Sequence, residues 1–236
     1  MLKIDNFEVF NFEGAIRGAR NPMNSWAKSD SDFSCRDCEG CYYGGLSQSA
    51  LEEDGSTTHW CDHTALRLGE NDLALMKRLV AAGSDERKFM RQILVSMDTT
   101  APLYWWKEFD TYKVGTVANS CSTMHRIHTR DLTRDDFSTD NMSEPALQLL
   151  DATLDFLNHS RRMFVASNDK KYWHDLIKIM PTSYNQKRTV TLNYEVLRNI
   201  YHARKHHKLA EWHTLCDTIE KMPYSELITM SAKVAK

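Results

Sequence analysis

The sequence predicts a helix-rich α+β protein, and two patterns in the chain favour this class. In several segments the apolar residues recur every three or four positions, which is the period of an amphipathic helix. Residues 4–11 instead show the partial alternation of a strand, and the apolar run over 93–97 fits a second strand. With 42% apolar and 26% charged residues, the composition is that of an ordinary globular protein.

The helices are predicted from their apolar stripes and from the residues that begin and end them. A helix over 70–82 ends at Gly83, a residue that commonly follows the last helical turn. Pro102 suits the first turn of a helix that carries Trp105 and Trp106, which are expected to be core residues. The remaining predicted elements are a helix and loop over 14–28, a polar surface loop over 126–143, a helix capped by Ser143, and helices over 171–180, 192–206 and 209–222.

The charge and the apolar pattern exclude several classes of protein. A formal net charge of −2 disfavours a dedicated nucleic-acid binder, which is usually strongly basic. No apolar run approaches the roughly 20 residues of a membrane span, so no membrane partner is predicted. The N-terminal segment carries Asp5, Glu8 and Glu13 and lacks the apolar centre of a secretory signal. The cytoplasm is therefore the predicted compartment, and the cysteines are not expected to form a disulfide framework.

Residues 29–70 are predicted to form an inserted, cysteine-rich loop, because they hold four of the six cysteines and little apolar periodicity. Cys35, Cys38 and Cys41 form a C-x-x-C-x-x-C motif, and Cys61 follows 20 residues later. This spacing lets four thiolates surround one tetrahedral ion, and zinc is the preferred metal. Metal binding would also order a segment that has few apolar residues of its own.

Other interpretations of the cysteines stay open. His59 or His63, which flank Cys61, could complete a set of three cysteines and one histidine. An iron–sulfur cluster uses the same spacing, although the Cys-Pro that often ends the ferredoxin motif is absent. The segment could also be an acidic loop with free thiols. Cys216, on the apolar face of a predicted helix, is expected to be a small core residue.

The segment over 102–125, PLYWWKEFDTYKVGTVANSCSTMH, resembles the signature region of the flavin-dependent thymidylate synthase family. Members of that family carry a strand, a Pro, an aromatic-rich helix and then the motif R-H-R-x-x-S-x-N-E-x-S-x-R-Y. Aligned without a gap, the motif's Asn and second Ser fall on Asn119 and Ser122, which are identical, and its Glu falls on Ser120.

The same alignment replaces most of the motif's charged residues. The family's Arg-His-Arg falls on Tyr112, Lys113 and Val114, and its final Arg falls on Met124, so Lys113 is the one cation kept. Farther along, the family has Leu-Pro, an Asn-bearing helix that leads to an Arg, and a His-x-x-Trp-Glu-like stretch. The chain carries the similar series Met180-Pro181, Asn193, Asn199, Arg204 and His207 to Trp212. The resemblance covers about half of the chain, over 84–125 and 176–222.

The resemblance implies one thymidylate synthase-like domain over 1–236, assembled as a homo-oligomer, a tetramer as in known members. Those members bind FAD, dUMP, NADPH and methylenetetrahydrofolate and methylate dUMP reductively, so FAD and a small nucleotide are the implied ligands. By position in the motifs, the implied cofactor-binding residues are Lys113, Asn119, Asn193, Asn199 and Arg204. The implied substrate-binding residues are Ser120, Ser122 and Arg204. Structural roles stay open for Asn119 in a turn, Asn193 as a helix N-cap and Arg204 at a helix C-terminus.

The lost arginines make efficient dUMP methylation unexpected. Each charge-assisted bond to a phosphate contributes about 1.5–3 kcal/mol, so losing two or three weakens binding on the order of a thousandfold. Cations that could compensate are Arg17, Arg20, Arg87, Arg91, Lys187 and Arg188. Asp110 and Tyr112 could act in acid–base chemistry, but their spacing identifies no partner.

The predicted function is a divergent nucleotide- or flavin-binding protein of this fold, with an enzymatic activity left open. The alternative is a non-catalytic scaffold that uses the cysteine-rich metal loop to contact a protein or a nucleic acid. A true thymidylate synthase with a relocated phosphate site is the third interpretation.

Overall fold

The computed structural model describes residues 1–32 and 67–231. The predicted metal ligands Cys35, Cys38, Cys41 and Cys61, with His59 and His63, lie outside the described residues, as does most of the loop predicted over 29–70. The chain divides into two compact units. The first consists of Met1–Phe10 and Leu94–Thr229, and the second of Asn11–Ile93 and Met230–Lys236. The single domain over 1–236 stays a prediction.

The helix-rich α+β class is confirmed by the order of the elements. The strands are β1 (Lys3–Phe10), β2 (Leu94–Pro102), β3 (Val117–Ser120) and β4 (Asn185–Asn193). The α-helices are α1 (Phe12–Arg20), α2 (Glu70–Ala82), α3 (Leu103–Phe109), α4 (Thr123–Arg126), α5 (Glu144–Ser167), α6 (Lys170–Ile179), α7 (Tyr194–Arg204), α8 (Ala210–Glu220) and α9 (Glu226–Thr229). Short 3-10 helices lie at Asn21–Met23, Trp26–Lys28, Glu86–Arg91 and Arg134–Asp136.

The four strands of the first unit form one antiparallel sheet in the order β1-β2-β4-β3. The central pair is in register with Val95 opposite Leu192 and Met97 opposite Val190, and all four side chains are buried. Burying such a side chain contributes about 1.5–3 kcal/mol, so this face of the sheet is a main source of the unit's stability. Because side chains alternate along a strand, Arg188 of β4 lies on the same face as these core residues.

Neither β3 nor β4 was predicted, and the helix predicted over 192–206 begins later than expected. Asn193 ends β4 and is the N-cap of α7, where its side-chain oxygen accepts a hydrogen bond from the Val196 N–H at 3.0 Å. The cap therefore explains why the helix begins at Tyr194. Cys216 of α8 is buried as predicted, and this burial raises the pKa of its thiol to about 11.

The segment over 126–143 was predicted to be a polar surface loop, and this prediction is wrong for its apolar residues. Ile127, Leu132 and Phe137 are buried in one cluster with residues of α5 and α6. Asn158 of α5 fixes the backbone of Leu132 by accepting from its N–H at 2.7 Å and donating to its carbonyl at 2.9 Å. Widely spaced apolar residues thus anchor a segment that has no helical or strand period.

In the second unit, the carboxylate of Asp72 joins the two chain segments that flank residues 33–66. Its Oδ1 accepts from Arg20 Nε at 2.5 Å. Its Oδ2 accepts from the hydroxyls of Ser29 and Ser31 at 2.7 and 2.6 Å, and from the N–H groups of Asp30 and Ser31. Burial opposes ionisation of Asp72, but the bonds from Ser31, Ser29 and Arg20 outweigh it, so the carboxyl pKa is lowered.

Candidate functional site

The candidate site of the first unit is built on a buried aromatic cluster. Pro102 precedes α3 as expected, and Trp105 and Trp106 are buried, which confirms that they are core residues. The Trp105 ring lies 4.8 Å from that of Trp212 in α8, and the Trp106 indole N–H donates to the carbonyl of Gln186 at 2.9 Å. These contacts hold α3, α8 and β4 together, so the polar side chains around the cluster have fixed positions.

Arg204, at the end of α7, lies beside this cluster. Its Nε donates to the hydroxyl of Tyr112 at 3.0 Å, and its Nη1 donates to Glu108 Oε2 at 3.0 Å. Its guanidinium also lies over the ring of Trp212, 4.8 Å from the ring centre. The side chain is 20% exposed, and no bond from Nη2 to a described residue is present. Arg204 is therefore positioned by the protein but keeps donors for a further acceptor.

Glu108 is held by several donors at one oxygen. Besides Arg204, the indole N–H of Trp212 donates to its Oε2 at 3.0 Å, and His207 Nε2 lies 3.5 Å away. The N–H of Leu209 donates to His207 Nδ1, so in the neutral imidazole the proton is on Nε2 and faces Glu108. This arrangement fixes the Glu108 side chain in place beside Arg204.

A cavity of about 210 Å³ lies next to Tyr112. Its floor includes Arg188, whose Nη1 donates to Asp110 Oδ1 at 2.8 Å and whose Nε donates to Gln186 Oε1 at 3.0 Å. The guanidinium stacks on the ring of Trp106 at 4.3 Å from its centre. The full lining is Phe109, Asp110, Tyr112, Lys113, Thr116, Ala118 and Arg188.

The turn that carries Lys113 is fixed against the start of α7. The Thr116 N–H donates to the Lys113 carbonyl at 3.2 Å, and Gly115 between them has a φ of 79°. A Cβ on Gly115 would come within 2.9 Å of Asn193 Nδ2, so both the backbone conformation and the close approach require glycine. Lys113 is exposed at this turn, on the cavity lining.

Only some of the predicted ligand-binding residues come together. Lys113 and Arg204 both lie next to Tyr112. Lys113 follows it in the cavity lining, and Arg204 donates a hydrogen bond to its hydroxyl. Ser120 of β3 is directly opposite Arg188 in the sheet, on the side of the cavity. Asn119 precedes Ser120 and therefore points to the opposite face of the sheet, away from the cavity.

The other three predicted residues are found in structural or separate positions. Asn193 and Ser122 are the N-caps of α7 and α4, so each side-chain oxygen already accepts a backbone N–H. Asn199 is exposed on α7, and a rotation of about 140° around the helix separates it from Arg204. Their roles in binding a ligand remain predictions.

The sequence interpretation named Arg188 and Asp110 but did not pair them. The signal that could have done so is the alternation of β4, which puts Gln186, Arg188, Val190 and Leu192 on one face. An arginine on a core-facing position of a strand needs an acceptor nearby, because an unpaired buried charge is costly. Asp110, at the end of the helix that covers this face, is that acceptor.

No metal cluster and no membrane-spanning helix were found in the part of the chain that the structure describes. Within residues 1–32 and 67–231, no group of three or more His, Cys, Asp or Glu side chains could hold a metal ion. In the same ranges, no helix combines the length and the apolar character that a membrane span requires. The predicted zinc ligands lie outside these ranges.

Neither a family model nor a curated protein matches the sequence. Among solved structures, the chain is similar to thymidylate synthase X (ThyX) from Helicobacter pylori with FAD and dUMP. The identity is 14%, the TM-score is 0.65, and 97% of each chain is covered. It is also similar to the UMP/dUMP methylase PolB from Streptomyces cacaoi bound with 5-Br dUMP, at 12% identity and a TM-score of 0.58 over 93% of this chain and 88% of that one. The chain therefore has the fold of the flavin-dependent thymidylate synthases.

Proposed function

We propose that the chain is a divergent flavin-dependent thymidylate synthase-like protein that binds a phosphate-bearing nucleotide or flavin next to Arg204. The observation that carries the proposal is the state of this side chain. Tyr112, Glu108 and Trp212 hold the guanidinium in place, while Nη2 keeps its donors. A pre-positioned guanidinium with free donors is suited to a phosphate or to a carbonyl of a base.

The fold supports a nucleotide or flavin as the ligand class. The similar structures contain FAD and dUMP or a halogenated dUMP. Fold alone does not establish function, so the residues of the site must provide the groups that bind the ligand. Arg204, Tyr112 and Lys113 supply one guanidinium, one aromatic ring with a hydroxyl, and one exposed ammonium within a small region of the first unit.

Efficient dUMP methylation is not part of the proposal. At the positions of the family's Arg-His-Arg, Tyr112 has its hydroxyl bonded to Arg204, and Val114 is 92% exposed with no polar group to offer. Lys113 alone supplies a cation there. Growth of a thymidine-requiring bacterial strain on this gene without thymidine would contradict this part of the proposal.

Binding is tested by calorimetry of the purified protein with FAD, FMN, dUMP and UMP. We expect at least one of them to bind with a dissociation constant below 1 mM, that is, more favourably than about −4 kcal/mol. Flavin absorbance in the protein as purified would favour FAD or FMN. If none of the four ligands binds below millimolar concentrations, the proposal is wrong and the non-catalytic scaffold becomes the preferred interpretation.

The homotetramer and the metal loop are two further parts of the proposal. Light scattering that gives a stable monomer at micromolar concentrations would contradict the tetramer.

For the metal, Cys35, Cys38, Cys41 and Cys61 are proposed to bind one zinc ion. The bridge between Asp32 and Arg67 supports a closed loop, because it pairs the backbone on both sides of 33–66. Elemental analysis should find zinc near one equivalent and a lower content in Cys38→Ser.

A further inference from the structure

We propose that Arg188 is the centre of a phosphate subsite in the cavity beside Tyr112, and that Asp110 occupies it until a phosphate displaces the carboxylate. The subsite would take one phosphate group of a phosphomonoester. The proposal deepens the proposed function and rests on it for the identity of the larger ligand. Arg188 of β4 would thereby take the role of the motif arginines that known family members have and this chain lacks.

The Arg188 guanidinium is shielded from water and keeps donors for an anion. The side chain is 15% exposed, with one face against Trp106, so little water reaches it. Its Nε and Nη1 have acceptors, but no bond from Nη2 to a described residue is present. A guanidinium in such surroundings interacts strongly with an anion, because few water molecules compete for its donors.

A residue of the cavity lining carries an unpaired hydroxyl. Thr116 lines the cavity, and its Oγ1 is buried without a hydrogen-bond partner among the described residues. Leaving a buried hydroxyl unpaired costs about 1–3 kcal/mol, so a rotation of the Thr116 side chain that brings Oγ1 to a ligand oxygen would remove this penalty. Lys113 adds an exposed ammonium to the lining, which gives the cavity two cations and one carboxylate.

The size of the cavity limits what it can hold. At about 210 Å³ it is smaller than the roughly 300–1,000 Å³ of pockets that enclose a whole drug-sized ligand. A cavity of this size holds one end of a nucleotide or flavin while the rest extends outside. The cations identify that end as the phosphate.

Asp110 can leave Arg188. Its side chain is 46% exposed, more than that of the arginine, and its carboxylate accepts one hydrogen bond from the described residues, from Arg188 Nη1. Glu108, two residues earlier, accepts from both Arg204 and Trp212 at one oxygen and cannot move without breaking both bonds. On leaving Arg188, the Asp110 carboxylate gives up one hydrogen bond and keeps its exposed side in water, whereas a phosphate offers the same guanidinium two negative charges and several acceptor oxygens.

The test is a titration of the full chain with inorganic phosphate in a phosphate-free, low-salt buffer. Arg188→Gln should weaken phosphate binding about tenfold or more, because it removes a charged donor. Asp110→Asn should strengthen it about threefold or more, because it removes the competing charge. Thr116→Val should weaken it about threefold without lowering the melting temperature, because the lost hydroxyl has no partner among the described residues.

Arg134→Gln and Asp151→Asn are the matched controls. Arg134 and Asp151 form a surface ion pair outside the cavity, and their side chains are 48% and 45% exposed. The two control substitutions change the net charge by the same amounts as Arg188→Gln and Asp110→Asn. Both controls should bind phosphate like the parent. If Asp110→Asn binds phosphate no more tightly than Asp151→Asn, the proposed role of Asp110 is wrong. If Arg188→Gln and Thr116→Val both bind phosphate like the parent, the subsite itself is wrong.

The same titrations separate this inference from the proposed function. Nucleotide or flavin binding that is insensitive to Arg188→Gln leaves the proposed function standing and refutes the subsite. Phosphate binding that requires Arg188, without any binding of the four larger ligands, supports the subsite and refutes the proposed function. Absence of phosphate binding at tens of millimolar by both the parent and Asp110→Asn refutes the subsite as well.

Discussion

Two arginine–aspartate pairs, one in each unit, have the same chemistry and opposite surroundings. In the second unit, Asp72 is fully buried and accepts five hydrogen bonds, one of them from Arg20. In the first unit, the Asp110 side chain is 46% exposed and accepts one hydrogen bond from the described residues, from Arg188. The number of other donors and the exposure of the carboxylate therefore decide whether such a pair stabilises the fold or remains available to a ligand.

The largest expected effect comes from breaking the buried pair. Asp72→Ala leaves Arg20 charged and unpaired at 5% exposure, and it also removes the acceptor of Ser29 and Ser31. We expect the free energy of unfolding to fall by about 3–5 kcal/mol, measured by urea denaturation. Ligand affinity of the remaining folded protein should not change. A loss below about 1 kcal/mol would show that the two pairs are equivalent.

Acid should remove the contribution of Asp72. Its pKa is lower in the folded state than in the unfolded state, so the carboxylate stabilises the fold above the unfolded pKa, near 3.9. This stabilisation is lost as the pH falls through the still lower folded pKa. The difference in unfolding free energy between the parent and Asp72→Ala should therefore be constant above about pH 5 and shrink below about pH 4. A difference that grows on acidification would contradict the assignment.

Arg204→Ala is expected to reduce ligand affinity by about 1.5–3 kcal/mol. The change also removes contacts with Glu108, Tyr112 and Trp212, so a modest loss of thermal stability should accompany it. Calorimetry with the tightest-binding of FAD, FMN, dUMP and UMP measures the affinity. Arg134→Gln is the control for the loss of one positive charge, and parent-like binding by Arg204→Ala would show that this arginine is only structural.

The smallest effects distinguish the two carboxylates of the site itself. Glu108→Gln disturbs an oxygen that accepts from Arg204 and Trp212, so it should cost about 1–2 kcal/mol of unfolding free energy. Asp110→Asn weakens a pair whose carboxylate is 46% exposed and accepts one bond, so it should cost less, about 1 kcal/mol or below. If thermal denaturation gave the reverse order, Asp110 would be the structural carboxylate and could not serve as a displaceable one.

The sequence predicted those parts of the fold that depend on local patterns. The bounds of α2 and the buried tryptophans of α3 followed from apolar stripes, Gly83 and Pro102. β4 was missed because its Thr–Val–Thr–Leu alternation runs directly into the helix that Asn193 caps, and the two periods overlap at the junction.

The site was less predictable than the fold, because its contacts join distant parts of the chain. Arg188 and Asp110 are 78 residues apart, and Arg204 and Glu108 are 96 apart. A local pattern such as the alternation of β4 shows that Arg188 needs an acceptor, but it does not show how near a distant residue comes. The motif resemblance named Arg204, Lys113 and Asn119, and the alternation of β3 directs Asn119 away from the cavity; the binding roles of all three stay predictions.

A crystal structure of the protein with the tightest-binding of FAD, FMN, dUMP and UMP is the most direct test of the account. We predict that a phosphate oxygen lies about 3 Å from Arg188, that Asp110 has turned away from it, and that Arg204 contacts the same ligand. Density for the phosphate away from both arginines, or an unbroken bond between Asp110 and Arg188 beside a bound ligand, would contradict the account.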